Sequence, residues 1–149
     1  MEGKMTDFMA LALKLAEKAG CEGEVPVGAV IVRNGKVIAT GQNRREANKK
    51  ATCHAEIEAI NAACEKLGSW RLDDCTLYVT LEPCPMCAGA IINARIPKVV
   101  YAATDRKGGA CDSVVNLFNM PFNHKPEVWA GICEQESIEI LKKFFKELR

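Results

Sequence analysis

Two short motifs hold the residue types that could do chemistry in this chain: His54-Ala55-Glu56 and Cys84-Pro85-Met86-Cys87. Cysteines three residues apart lie close to one turn of a helix, so both sulfurs can face one ion. Pro85 suits the first turn of that helix, where its missing amide would have no intrahelical partner. The doublet would then open a helix, at the end whose positive dipole favours thiolate over thiol. Alone, it could equally be a redox dithiol or two small residues in a buried helix. His54 shifts the balance toward metal. Residues two apart on a helix point about 200° from each other. His54 and Glu56 can therefore share a site only at a helix start, where first-turn side chains splay around the axis. Thr52 or Cys53 is the expected starting point of that helix.

Ligand number separates the two uses of zinc. A structural zinc takes four protein ligands, whereas a catalytic zinc takes three and lowers the pKa of a water in the fourth position to about 7. His54, Cys84 and Cys87 make three. Glu56 is then a carboxylate beside the metal that is not a ligand, suited to accept a proton and return it. A bland reading exists for each residue: a first-turn acid complements the helix dipole, and a lone histidine is commonly a core residue. Cys53 is the one competitor for the fourth position, although neighbours in one segment rarely reach one ion.

The elements that must position these groups follow from periodicity. Phe8, Leu11, Ala12, Leu15, Ala16 and Ala19 recur at helical spacing, with Thr6 or Asp7 as cap and Gly20 as stop. Two β-branched runs, 25–32 and 36–40, flank Asn34-Gly35, a strong hairpin signal because both turn positions need positive φ. A helix is expected over about 54–67, a buried strand over 76–81, a helix over 84–94 and a strand over 98–104. Residues 105–112, with Gly108-Gly109, read as a mobile loop. A short helix near 113–118, a strand near 127–132 and a helix over 134–148 complete the order. Alternation after an opening hairpin implies one α/β layered domain, residues 1–149, with a mostly parallel sheet covered on both faces. The helix carrying Met86, Ala88, Gly89, Ala90, Ile91 and Ile92 is apolar on nearly every side. A second subunit or a larger core of the protomer would each explain that.

Composition narrows the setting. With 20 basic and 19 acidic side chains in 149 residues, the formal charge of +1 points to no partner. Two basic clusters stand out locally, Arg44, Arg45, Lys49 and Lys50, and Lys142, Lys143, Lys146 and Arg149. Each could also be a solvated face. The first apolar stretch is broken by Lys14, Glu17 and Lys18, which speaks against a signal peptide or a membrane span. A cytoplasmic location is expected, where eight cysteines are a metal and thiol inventory rather than a disulfide framework.

Beyond the two motifs, the chain resembles the bacterial tRNA adenosine deaminases of the cytidine deaminase superfamily. His54-Ala55-Glu56 with Pro83-Cys84-Pro85-Met86-Cys87 matches the zinc deaminase signature. The likeness extends through Val25-Pro26-Val27-Gly28-Ala29-Val30, Gly41-Gln42-Asn43-Arg44, the run 76–84, Cys87-Ala88-Gly89-Ala90-Ile91, Asn123-His124 and the Phe144-Phe145 tail. Where the family commonly shows Asp-Pro-Thr-Ala, Lys50-Ala51-Thr52-Cys53 stands here. The resemblance implies a cytidine-deaminase-like three-layer α/β/α sandwich around a mixed, mostly parallel five-stranded sheet, and a homodimer. It implies one zinc per subunit on His54, Cys84 and Cys87, Glu56 as proton shuttle, Asn43 on the nucleoside and the Ala55 amide on the base. Val27, Leu81 and Pro83 would line the pocket, and Asp105 and Lys107 would touch flanking nucleotides. The implied reaction is adenosine to inosine at the wobble position of a tRNA anticodon stem-loop. For such a substrate the basic clusters would hold phosphates, and Lys142, Lys143 and Lys146 on the last helix are the better candidates for the RNA backbone. Rival readings are deamination of a free guanine or cytosine base or nucleoside, and a zinc-stabilised RNA-binding module without turnover.

Overall fold

The computed structural model describes residues 2–148. Its elements in chain order are α1 (Glu2–Cys21), β1 (Gly28–Arg33), β2 (Lys36–Gln42), α2 (Arg45–Asn48), α3 (Ala55–Leu67) and β3 (Cys75–Leu81). They continue with α4 (Pro85–Ala94), β4 (Lys98–Ala103), a 3₁₀ turn at Leu117–Asn119, β5 (Glu127–Ala130) and α5 (Glu134–Glu147). The hairpin turns on Asn34 and Gly35, both at positive φ (52° and 76°), as the dipeptide requires. The five strands lie in the order β2-β1-β3-β4-β5. β1 is antiparallel to both its neighbours, while β3, β4 and β5 pair in parallel. Four strands therefore share one direction, and β1 alone runs against them.

Strand alternation separates the two faces. Ala29, Ile31, Leu77, Val79, Val99 and Tyr101 pack with Ala55, Ala59, Ile60 and Ala63 of α3 and with Ala88 and Ile91 of α4. Val30, Val32, Tyr78, Val100 and Ala102 pack on the opposite face with α1, joined there by Ile140 of α5. The result is helices, sheet, helices, in three layers. α5 is also pinned by a buried bond, Ser137 Oγ donating to the Thr80 carbonyl at 2.6 Å.

The sequence reading and the structure part in several places. α1 begins at Glu2, so Thr6 and Asp7 lie inside the helix rather than capping it. The inward stripe of α1 is Met5, Met9, Ala12, Leu13, Ala16 and Ala19, whereas Leu11 is exposed. The helix is turned because its backbone lies directly on β1: a Cβ at Gly28 would collide with the Ala12 carbonyl and the Ala16 amide. Only the small side chains of Ala12 and Ala16 permit that approach. α2 has no counterpart in the periodicity; its first amides are held from outside, by the Glu24 carboxylate accepting from Glu46 N–H (3.0 Å) and Ala47 N–H (2.8 Å). The helix expected near 113–118 is reduced to the 3₁₀ turn, capped by Asn116. The 105–112 segment is tied down by hydrogen bonds along its length rather than left as free chain. Among the described residues no helix is long and apolar enough to cross a membrane.

α3 lies on β2 as closely as α1 lies on β1. A Cβ at Gly41 would meet the Ala55 carbonyl and the Ala59 amide, both backbone atoms that cannot swing aside. Gly41→Ala should therefore lower the unfolding free energy by about 1–3 kcal/mol, read from urea denaturation. An unchanged midpoint would show that the contact is not rigid.

Candidate active site

The site is assembled where α3 and α4 begin, at the carboxyl ends of β3 and β4. Asn43, the residue after β2, fixes the first of these starts. Its Oδ1 accepts the Ala55 amide at 2.9 Å, and its Nδ2 donates to the Val25 carbonyl at 3.0 Å. The Ala55 amide is one of the first-turn donors that a helix leaves without an internal partner. Asn43 thus satisfies a buried donor and locks α3 to the loop before β1. His54 stands at the N-cap in extended conformation (φ −79°, ψ 155°) and uses no side-chain cap bond, which leaves its ring free for other partners. The helix therefore begins one residue later than Cys53, or two later than Thr52, would have set it.

α4 repeats the arrangement. Cys84 is its N-cap (φ −77°, ψ 174°), Pro85 its first residue, and Cys87 stands in its first turn. The Sγ atoms of Cys84 and Cys87 each lie 3.5 Å from His54 Nδ1. A tetrahedral zinc with bonds of about 2.0 Å to nitrogen and 2.3 Å to sulfur sets those atoms about 3.5 Å apart. The donor set, one imidazole and two thiols, suits zinc in both chemistry and spacing. Among the described residues it is the one cluster of His, Cys, Asp and Glu with such spacing. Cys53 does not join it; its Sγ accepts from Asn48 Nδ2 at 3.5 Å. The other histidine, His124, is structural, its Nε2 donating to the Ile96 carbonyl at 2.7 Å.

The electrostatics match a place for bound charge. A hydrogen bond from Cys87, with His54 adding to it, lowers the Cys84 thiol to about 4. The bond to Cys84 raises His54 above its ordinary value. Glu56, the second residue of α3, is buried beside these groups, and burial pushes its carboxyl up to about 7. A carboxyl titrating near neutrality can both take and give a proton.

A cleft of about 170 Å³ opens over His54, Glu56 and Cys84. Val27, Leu81, Asn43 and Asp105 also line it. Of the other expected residues, Ala55 is fully buried and its amide is already engaged by Asn43. Pro83 is buried behind the wall, where its carbonyl accepts the Ala110 amide. Lys107 is exposed on the loop beyond the cleft. The C-terminal lysines divide: Lys142 and Lys146 border a groove with Ala103, Thr104 and Phe145, whereas Lys143 faces α1 beside Glu17. Arg149 lies outside the described residues.

Three cleft residues went unmarked as such in the sequence. Val25 and Arg45 line the cleft, and only the fold brings α2 close enough for Arg45 to do so. Glu82 lines it too, an acid ending an apolar strand run, which was the available signal. Burial favours its protonated form, but the Ser113 hydroxyl and the loop amides prevail and hold the carboxyl below its ordinary range.

Comparison with known proteins agrees with this geometry. The family model of the MafB19-like deaminases matches residues 4–149. The tRNA-specific adenosine deaminase of Bacillus subtilis (strain 168) is 50% identical over 143 residues, 95% of this chain and 89% of that protein. A solved structure from work on A-to-I editing by tRNA:A34 deaminases at the wobble position of transfer RNA superposes with a TM-score of 0.89. It is 52% identical and covers 91% of this chain and 99% of its own. The guanine deaminase of Bacillus subtilis superposes less closely, with a TM-score of 0.65 at 35% identity over 94% of this chain and 92% of its own. A His/Cys/Cys cluster beside a buried glutamate, on this fold and with likeness running through the flanking segments, places the chain in the family of tRNA-specific adenosine deaminases.

Proposed function

We propose that residues 1–149 act as one deaminase domain that converts adenosine to inosine at the wobble position of tRNA anticodon loops. The observation that carries the reading is the buried Glu56 carboxyl beside a three-donor His54, Cys84 and Cys87 set, on the floor of a narrow cleft. The net reaction adds water at C6 of adenine and expels ammonia. One zinc per subunit, when bound, supplies Lewis acidity and water activated near neutral pH. Glu56 takes the proton of the attacking water, delivers it to the ring, and then serves the departing amine. Asn43, with both amide groups tied to the backbone, keeps one N–H and one lone pair for the nucleoside. Val27 and Leu81 offer apolar walls to the base. An unstacked loop base is cheap to extrude into such a cleft, which favours an RNA loop over a duplex. A cytoplasmic location follows from that substrate.

Two surfaces extend the reading. Lys142 and Lys146, one turn apart on α5, border a groove that ends at Thr104, next to Asp105, and would hold phosphates of the RNA. α4 presents Gly89 to open space, where a Cβ would meet nothing within 4 Å. Glycine inside a helix costs about 1 kcal/mol relative to alanine. Close approach of a second copy would use that glycine, with exposed Val114, Met120 and Phe122 around the neighbouring 3₁₀ turn completing an apolar face.

Incubated with an anticodon stem-loop, the zinc-loaded protein should form inosine. Conversion of free guanine with the stem-loop left intact would overturn the reading. Glu56→Gln should retain one zinc per chain while losing about 10²–10⁴-fold in turnover, and residual activity near wild type would remove Glu56 from its role. Lys142→Ala with Lys146→Ala should reduce the salt dependence of RNA binding by roughly 1.4–1.8 in log–log slope, with Lys143→Ala nearly neutral; an unchanged slope sinks the phosphate assignment. In sedimentation velocity, Gly89→Arg should convert a dimer into a folded monomer. Persistence of the dimer would place the interface elsewhere.

A further inference from the structure

We propose that Glu82 is a positioning residue for the deamination. Its buried carboxylate gathers the 105–113 loop so that Asp105 is held at the mouth of the substrate cleft. The inference rests on the reading of the substrate as an RNA loop. Glu82 follows the last residue of β3 and precedes Cys84 by two, yet the carboxylate bonds to the loop. Oε1 accepts the Asp105 amide at 3.0 Å and the Ser113 hydroxyl. Oε2 accepts the amides of Cys111 (3.1 Å), Asp112 (2.9 Å) and Ser113 (3.0 Å). Both ends of the loop thus hang on one side chain. Gly109 closes the cradle from its middle, since a Cβ there would fall on the carboxyl group itself.

Such a cradle needs an anion. The donors are divided between the two oxygens, and a neutral amide in place of the carboxylate would set an NH₂ against backbone N–H groups at one end. The loop's own bonds depend on this anchor. Asp105 Oδ1 accepts the Lys107 and Gly108 amides, both at 3.1 Å, so the turn that sets the Asp105 side chain begins at the residue Glu82 holds. Both bonds use Oδ1. The metal ligands have a support outside the loop: the Cys84 carbonyl accepts the Ala88 amide at 2.8 Å within α4, while Pro83 alone, through the Ala110 amide, is tied to the loop. Loosening Glu82 should therefore disturb substrate capture and leave the chemical step standing.

The test uses the zinc-loaded full chain and two variants that disturb the cradle from opposite sides, Glu82→Gln and Gly109→Ala. Amide hydrogen exchange over 105–113 should speed by about tenfold or more in both. KM for an anticodon stem-loop should rise about tenfold, with kcat within a factor of about two and zinc at one per chain. Ser113→Ala, which removes one donor and keeps the anion, should shift KM the same way by less. Unchanged exchange would overturn the tether, and so would a fall in kcat at unchanged KM, or zinc loss in both variants. Should Glu82→Gln fail to fold, Gly109→Ala and Ser113→Ala decide by the same readings. If the wild-type protein leaves the stem-loop adenosine intact, the substrate reading falls, while hydrogen exchange still decides whether Glu82 holds the loop.

Discussion

Two helices begin at one point in space, and the chemistry open to this protein follows from that meeting. The start of a helix carries unpaired amides and a partial positive charge, so bringing two starts together is unfavourable unless something negative lies between them. Here the N-cap positions supply it. Cys84 puts a thiol held low by its bonds from Cys87 and His54 at the start of α4, Cys87 is held as a thiol by the bond to Cys84 and by burial, and Glu56 adds a carboxyl within the first turn of α3. The N-cap residues His54 and Cys84 leave their side chains out of capping, which frees both for an ion. Chemistry and fold therefore compete for the same few atoms, and Asn43 resolves the competition by satisfying the Ala55 amide from outside the helix.

Buried acids organise the ground around that meeting. Glu24 and Glu82 are as inaccessible as the aliphatic core, yet each is surrounded by backbone amides rather than by cations. Removing a carboxylate from water is costly unless donors replace the lost hydration. In return, each acid fixes a segment with no regular ladder of its own, α2 in one case and the 105–113 loop in the other. Among the described residues no buried side-chain nitrogen or oxygen lacks a partner.

Much of this was legible in the residues. Asn34-Gly35 specified the hairpin because its torsions suit few other pairs, and Cys84-x-x-Cys87 with His54 specified a cluster because metal geometry tolerates little else. Alternating helix and strand runs gave the layers. What was hidden is what depends on distance along the chain. The stripe of α1 is set by its contact with Gly28, not by its own apolar count. α2 exists because an acid twenty-two residues earlier reaches its first amides. The hydrogen bonding of the 105–112 segment is invisible in its glycines, since its amides are accepted by Glu82, just past the end of β3.

Gly28 and Gly41 sit near the same end of the β1–β2 hairpin but face opposite layers, so the sandwich is pinched there, backbone against backbone on both sides. Layer spacing elsewhere depends on how well side chains fill it, and it relaxes when they change. At the pinch it is fixed by main-chain atoms. The cleft borders this pinch directly: Val27 precedes Gly28, and His54 precedes the Ala55 whose carbonyl Gly41 faces, so two of its lining residues are each one peptide away from a main-chain contact.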